Sequence, residues 1–153
     1  MAEHGKSHVV ALAPASGSGE AFVIAEDLPA PTGLVVRGED LYVTDRVRGE
    51  LLRIAKSGIR LETPEVVASG LMAPEGVAAT DEGFVVVDGD RGRIVSVSMD
   101  GVITQVAATS PGTPAPTAQQ PPSMLFNGVA VTRKGEIVST GETDRVLYRS
   151  TRP

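Results

Sequence analysis

Apolar residues in this chain come in short runs, not at helical spacing. Leu34-Val35-Val36, Leu41-Tyr42-Val43, Val66-Val67, Phe84-Val85-Val86-Val87, Ile94-Val95 and Ile137-Val138 are each flanked within a few residues by Gly, Asp, Glu or Lys. Runs this short, rich in β-branched residues and bounded by turn formers, predict β-strands. Arg37-Gly38-Glu39-Asp40, Glu82-Gly83 and Lys134-Gly135 predict tight connections between paired strands.

The runs also recur in order. Ala30-Pro31-Thr32-Gly33-Leu34-Val35-Val36 returns as Ala73-Pro74-Glu75-Gly76-Val77-Ala78-Ala79, and more loosely as Leu125-Phe126-Asn127-Gly128-Val129-Ala130-Val131. Gly33 and Gly76 are 43 residues apart, and Gly76 and Gly128 are 52 apart. At those offsets Leu41–Asp45 matches Phe84–Asp88 and then Glu136–Thr140. Val23–Leu28 echoes Val66–Leu71, and His8–Leu12 fits the third strand of an incomplete first repeat. Four strands in roughly 40–45 residues is the unit of a β-propeller blade. A β-sandwich is the nearest alternative, but it gives no reason for an in-register Pro-x-Gly. The expected fold is therefore all-β: a β-propeller of about three and a quarter four-stranded blades, with two, four, four and three strands. Repeats start near residues 33, 76 and 128, residues 1–7 form a ragged N-terminus, and residues 8–153 are the partial propeller.

Propellers close on 4–8 blades, so the expectation is an incomplete ring, part of a six-bladed propeller. Two completions are open. Further blades can belong to a longer chain, or a second copy can close the ring, as a homodimer about a two-fold axis. In the second case the strand near Phe22 of one copy follows Tyr148 of the other. A compact four-bladed closure is a poorer third.

Composition narrows function by exclusion. With 14 basic and 19 acidic residues the net charge is −5, and aromatics are 3%, which argues against a nucleic-acid partner. No apolar run approaches the ~20 residues of a membrane-spanning helix, so no membrane partner is expected. Val9–Ala15 is too short, and Glu3 too acidic, for a clear signal peptide. Without cysteine there is neither a disulfide nor a thiol nucleophile, and the compartment stays unknown. His4 and His8 are the only histidines, which disfavours a Ser–His–Asp triad or a histidine base. Thr109 to Leu125 holds five of the eleven prolines, a lid or a linker.

Ala73-Pro74-Glu75-Gly76-Val77-Ala78, Asp88-Gly89-Asp90-Arg91-Gly92-Arg93-Ile94 and Phe126-Asn127-Gly128-Val129-Ala130-Val131 resemble the NHL-type and gluconolactonase-type propellers, the latter regucalcin-like, with the related strictosidine-synthase-like group. The resemblance implies a divalent cation, commonly Ca²⁺, at the top of the channel. Glu75 then matches the family glutamate and Asn127 a family asparagine, with Thr32 at the equivalent earlier position. The family's acid/base aspartate has no counterpart before any of the three glycines.

The residues themselves leave two readings. Glu75, Asn127 and Asp88 are candidate oxygen ligands for a hard cation, or else cap their turns through backbone N–H groups. Thr32, Asp45 and Glu142 are candidate members of a ligand-facing rim; Asp45 and Asp88 also suit Asx turns. Recurring arginines such as Arg46 and Arg93 suit the periphery and ion pairs. Function is expected to be that of a non-catalytic propeller segment binding a small molecule or protein on the face carrying the Pro-x-Gly turns. The alternative is a divalent-metal-dependent lactone or ester hydrolase of the gluconolactonase type.

Overall fold

The computed structural model describes residues 1–3, 7–12, 21–89, 92–108, 127–141 and 145–150. These contain fourteen β-strands in four antiparallel sheets. The first sheet is β1 (Ala2–Glu3), β2 (His8–Leu12) and β3 (Ala21–Ala25). The second is β4 (Pro31–Arg37), β5 (Asp40–Asp45), β6 (Glu50–Lys56) and β7 (Ile59–Ser69). The third is β8 (Pro74–Thr80), β9 (Gly83–Asp88), β10 (Arg93–Ser98) and β11 (Ile103–Ala108). The last is β12 (Val129–Val131), β13 (Ile137–Gly141) and β14 (Val146–Ser150). Strands follow chain order within every sheet, as blades of a partial, unclosed propeller do.

The core lies between sheets. Val9, Ala25 and Leu28 meet Val43, Leu52 and Ile54 between the first and second. Tyr42, Leu51, Ala68 and Leu71 meet Val77, Phe84, Val86, Val95 and Val97 between the second and third. Val85 and Ile94 meet Ile137 between the third and fourth. Each middle sheet is apolar on both faces, which explains continuous runs such as Phe84–Val87 where a half-solvated strand would alternate.

Two bulges recur. Between β4 and β5 the register shifts across Thr32-Gly33, and between β8 and β9 across Glu75-Gly76. A second bulge falls after Val9, Leu51 and Ile94, and the partner there is Ala25, Ala68 or Ala107, alanine each time. These shared irregularities align the repeats, apart from an extra bulge at Ile54 of β6 that β10 lacks.

That alignment corrects two expectations. Ala2–Glu3 pairs with His8–Val9, giving the first sheet three strands, where an irregular start and two strands were expected. Register also moves the last repeat by one residue. Val36 faces Leu41 across a turn of four, whereas Val131 faces Ile137 across a turn of five. Val43 therefore corresponds to Ser139 and Asp45 to Gly141. A uniform spacing of 52 put Asp88 opposite Thr140, and a one-residue slip reverses the face of every side chain beyond it. The proline-rich segment 109–125 and Glu142 lie outside the described residues.

Candidate polar hub at the Pro-x-Gly end

The bulges bring the glycine-marked inner strands into contact. A methyl group on Gly33 would strike the Glu75 carbonyl and Val77. One on Gly76 would lie 2.7 Å from the Asn127 carbonyl oxygen and 2.9 Å from Gly128 Cα. The Gly76 N–H donates to that Asn127 carbonyl at 2.9 Å. Thr44 on β5 accepts from Gly33 N–H at 2.8 Å and donates to the Glu75 carbonyl at 2.6 Å, crossing from one sheet to the next. Thr140 accepts from Gly128 N–H at 2.7 Å at the matching position.

The candidate ligands do gather here, but around each other. Glu75 is fully buried. Its Oε2 accepts from the Asn127 backbone N–H at 2.7 Å and from Asn127 Nδ2 at 2.8 Å. Its Oε1 lies 3.4 Å from an Arg46 guanidinium nitrogen, and both side chains are wholly buried. Gly89 leaves room: a Cβ there would come 2.6 Å from Glu75 Oε1. Arg46, Glu75 and Asn127 come from three successive sheets, so the cluster ties those sheets together at the hub. Thr32 stands one sheet earlier at the Glu75 position and donates to the Pro74 carbonyl at 2.9 Å.

Asp88 is not part of this cluster. Its Oδ1 accepts from Met72 and Ala73 N–H at 2.9 and 2.8 Å. Its Oδ2 pairs with Arg93 at 2.7 Å. Asp45 does the same work one sheet earlier: Oδ1 accepts from Val47 and Arg48 N–H at 3.0 and 2.9 Å, and Oδ2 from Ala30 N–H at 3.2 Å. Both aspartates are 0% exposed, so neither forms an acidic rim facing ligand. Gly141 occupies the corresponding position in the last sheet.

These donor sets do not suit a cation. The Glu75 carboxylate is held between a guanidinium and two N–H donors, and a divalent ion beside Oε1 would face the Arg46 charge. Among the described residues no three His, Asp or Glu side chains are grouped to hold a metal. Sequence reasoning read Arg46 as peripheral. Its signal was the glycine at the next repeat, Gly89, which marks the position where a carboxylate needs space.

The class the fold defines is that of β-propellers, and comparison with solved structures agrees. The chain is similar to virginiamycin B lyase from Staphylococcus aureus, with TM-score 0.58 and 15% identity, covering 99% of this chain and 50% of that one. It is similar to a catalytically inactive form of that lyase with quinupristin, at TM-score 0.59 and 14% identity, covering 98% and 50%. A chain of a nidogen/laminin complex gives TM-score 0.54 and 14% identity over 89% and 69%. This chain spans about half the length of the lyases it matches. No protein-family profile and no curated protein matches it. Among the described residues no helix is long and apolar enough to cross a membrane.

Proposed function

We propose that this chain is a ligand-binding segment of a propeller, and that its ligand meets the axis at the end opposite the Pro-x-Gly turns. The supporting observation is a cleft of about 370 Å³ there, between the β8–β9 and β12–β13 hairpins, lined by Thr80, Asp81, Glu82, Thr132 and Arg133. Its volume is in the range of small-molecule sites. Thr80 also lines the adjoining cleft beside Val36 and Arg37, and its hydroxyl is buried with no hydrogen-bond partner among the described residues. The Pro-x-Gly end, where ligand was expected, has its acids turned inward to cap turns and join sheets.

A second reading is enzymatic, favoured by the likeness to lyases. A metal-dependent lactone or ester hydrolysis has no support from the Glu75 donor set, where Oε2 is taken by Asn127 and Oε1 faces Arg46. Quinupristin, held by one of the similar structures, is the first probe. Binding heat lost in Arg133→Glu, with quinupristin intact by chromatography, supports the binding reading. Consumption of quinupristin supports the enzymatic one. Binding heat unchanged by Arg133→Glu and Thr80→Arg would remove the cleft from consideration.

A further inference from the structure

Granted the ligand site proposed above, we infer that the cleft between the β8–β9 and β12–β13 hairpins takes a small guanidino acid, a molecule with a guanidinium at one end and a carboxylate at the other. One sheet earlier the matching hairpins are already bridged by a guanidinium from within the chain. Arg37 ends β4; its Nε donates to the Thr80 carbonyl at 3.2 Å and its Nη2 to the Asp81 carbonyl at 2.9 Å. Arg37 therefore ties the second sheet to the third at this end of the axis. Thr80 ends β8 in the same register. Val36 faces Leu41 and Arg37 faces Asp40, just as Ala79 faces Phe84 and Thr80 faces Gly83. The threonine side chain is too short to repeat the bridge to the fourth sheet. Its hydroxyl is buried with no hydrogen-bond partner among the described residues, on the wall of the 370 Å³ cleft.

The far wall repeats the acceptors that hold Arg37. Val131 faces Ile137 as Ala79 faces Phe84, so Thr132 and Arg133 stand where Thr80 and Asp81 stand one sheet earlier. Their carbonyls correspond to the two that receive the Arg37 guanidinium. A guanidinium presents a planar fork of N–H donors, which can serve those carbonyls and the Thr80 hydroxyl together. A buried hydroxyl without a partner is costly, so a donor that reaches it is favoured. Charge adds the second half of the ligand. Exposed Asp81 and Glu82 line the β8–β9 side and attract a cation, while exposed Arg133 lines the β12–β13 side and suits a carboxylate. A guanidinium alone would leave Arg133 facing a like charge. A carboxylate alone would meet Asp81 and Glu82 and bring no donor to Thr80. A volume of about 370 Å³ is at the small end for ligand sites, which fits a molecule of amino-acid size.

Titration of the isotope-labelled chain, followed by NMR, tests this. The probe γ-guanidinobutyrate should shift the amide resonances of Thr80, Asp81, Thr132 and Arg133 saturably. Hexanoate, of similar length but without the guanidinium, should bind on the order of tenfold more weakly. Arg133→Glu should weaken γ-guanidinobutyrate by a similar factor and leave butylguanidinium bound no more weakly. Thr80→Arg places a tethered guanidinium in the cleft, as Arg37 does one sheet earlier, and should abolish the shifts. Should Thr80→Arg fail to fold, Asp81→Asn in the exposed turn takes its place and should lower the affinity for both guanidinium probes. Hexanoate bound as tightly as γ-guanidinobutyrate, or no saturable shift at these residues, would overturn the guanidino-acid assignment. Quinupristin still bound in the cleft would confine that failure to the class of ligand, whereas loss of both probes would remove the cleft as a site.

Discussion

At the residue scale, one position shows how a backbone requirement outlasts the residue that suits it. Gly49 and Gly92 open the third strands of their sheets with φ of 66° and 56°. Arg145 takes the same place in the last sheet with φ 58°. A side chain in the left-handed region costs about 1–2 kcal/mol. Arg145→Gly should therefore raise unfolding free energy by about 1 kcal/mol in urea titration. Gly49→Ala should lower it by more, because its Cβ would also strike the Leu71 carbonyl. Glu75 offers the sharper case. Removing one member of a buried ion pair costs about 3–5 kcal/mol, while apolar replacement of both is often near neutral. Glu75→Leu alone should be severely destabilising, and Arg46→Met with Glu75→Leu should recover most of the loss. A double-mutant cycle showing no coupling would deny the pair its role. Glycine spacing in the sequence pointed to this hub, and Glu75 and Asn127 do meet there. Arg46 was illegible because its partner lies in the next repeat, 29 positions along the chain.

At the element scale, hairpin length decides which face each strand shows. The four strands per repeat, their order and the tight turns were readable from the apolar runs and their punctuation. The one-residue slip in the last repeat was not, because Arg133-Lys134-Gly135 reads equally well as a shorter turn. Only pairing reveals that Ile137 faces the core and that Gly141 replaces the aspartate of earlier repeats. The β4–β5 and β6–β7 hairpins share an anchor, Asp40. Its carboxylate is held below the ordinary range first by the Ser57 N–H, then, against some desolvation, by Arg53 and Tyr42. A carboxylate lowered by folding stabilises above its unfolded pKa, and that contribution disappears as pH falls through the folded value. Asp40→Asn should therefore flatten the acid limb of the stability–pH curve below about pH 4. An unaltered acid limb would show that other carboxylates set it.

For the whole molecule, the repeat offset predicted a wheel-like stack, and the sheets are arranged as it required. What could not be read was the chemistry of its two ends along the axis. A run such as Asp45-Arg46-Val47-Arg48 looks like a polar rim, yet folding turns Asp45 and Arg46 inward and leaves Val47 outside. Burial of that kind is a property of three sheets together, so no single repeat announces it.

The carboxylate shared by three sheets also governs where this polypeptide tolerates being reopened. A circular permutant with its new termini at Gly38-Glu39 or Lys134-Gly135 breaks a hairpin remote from Glu75 and should keep cooperative unfolding. New termini at Val47-Arg48 or Met72-Ala73 would free the strand ends that hold Arg46 and Glu75 in place, and such a rearranged chain should lose its single sharp transition.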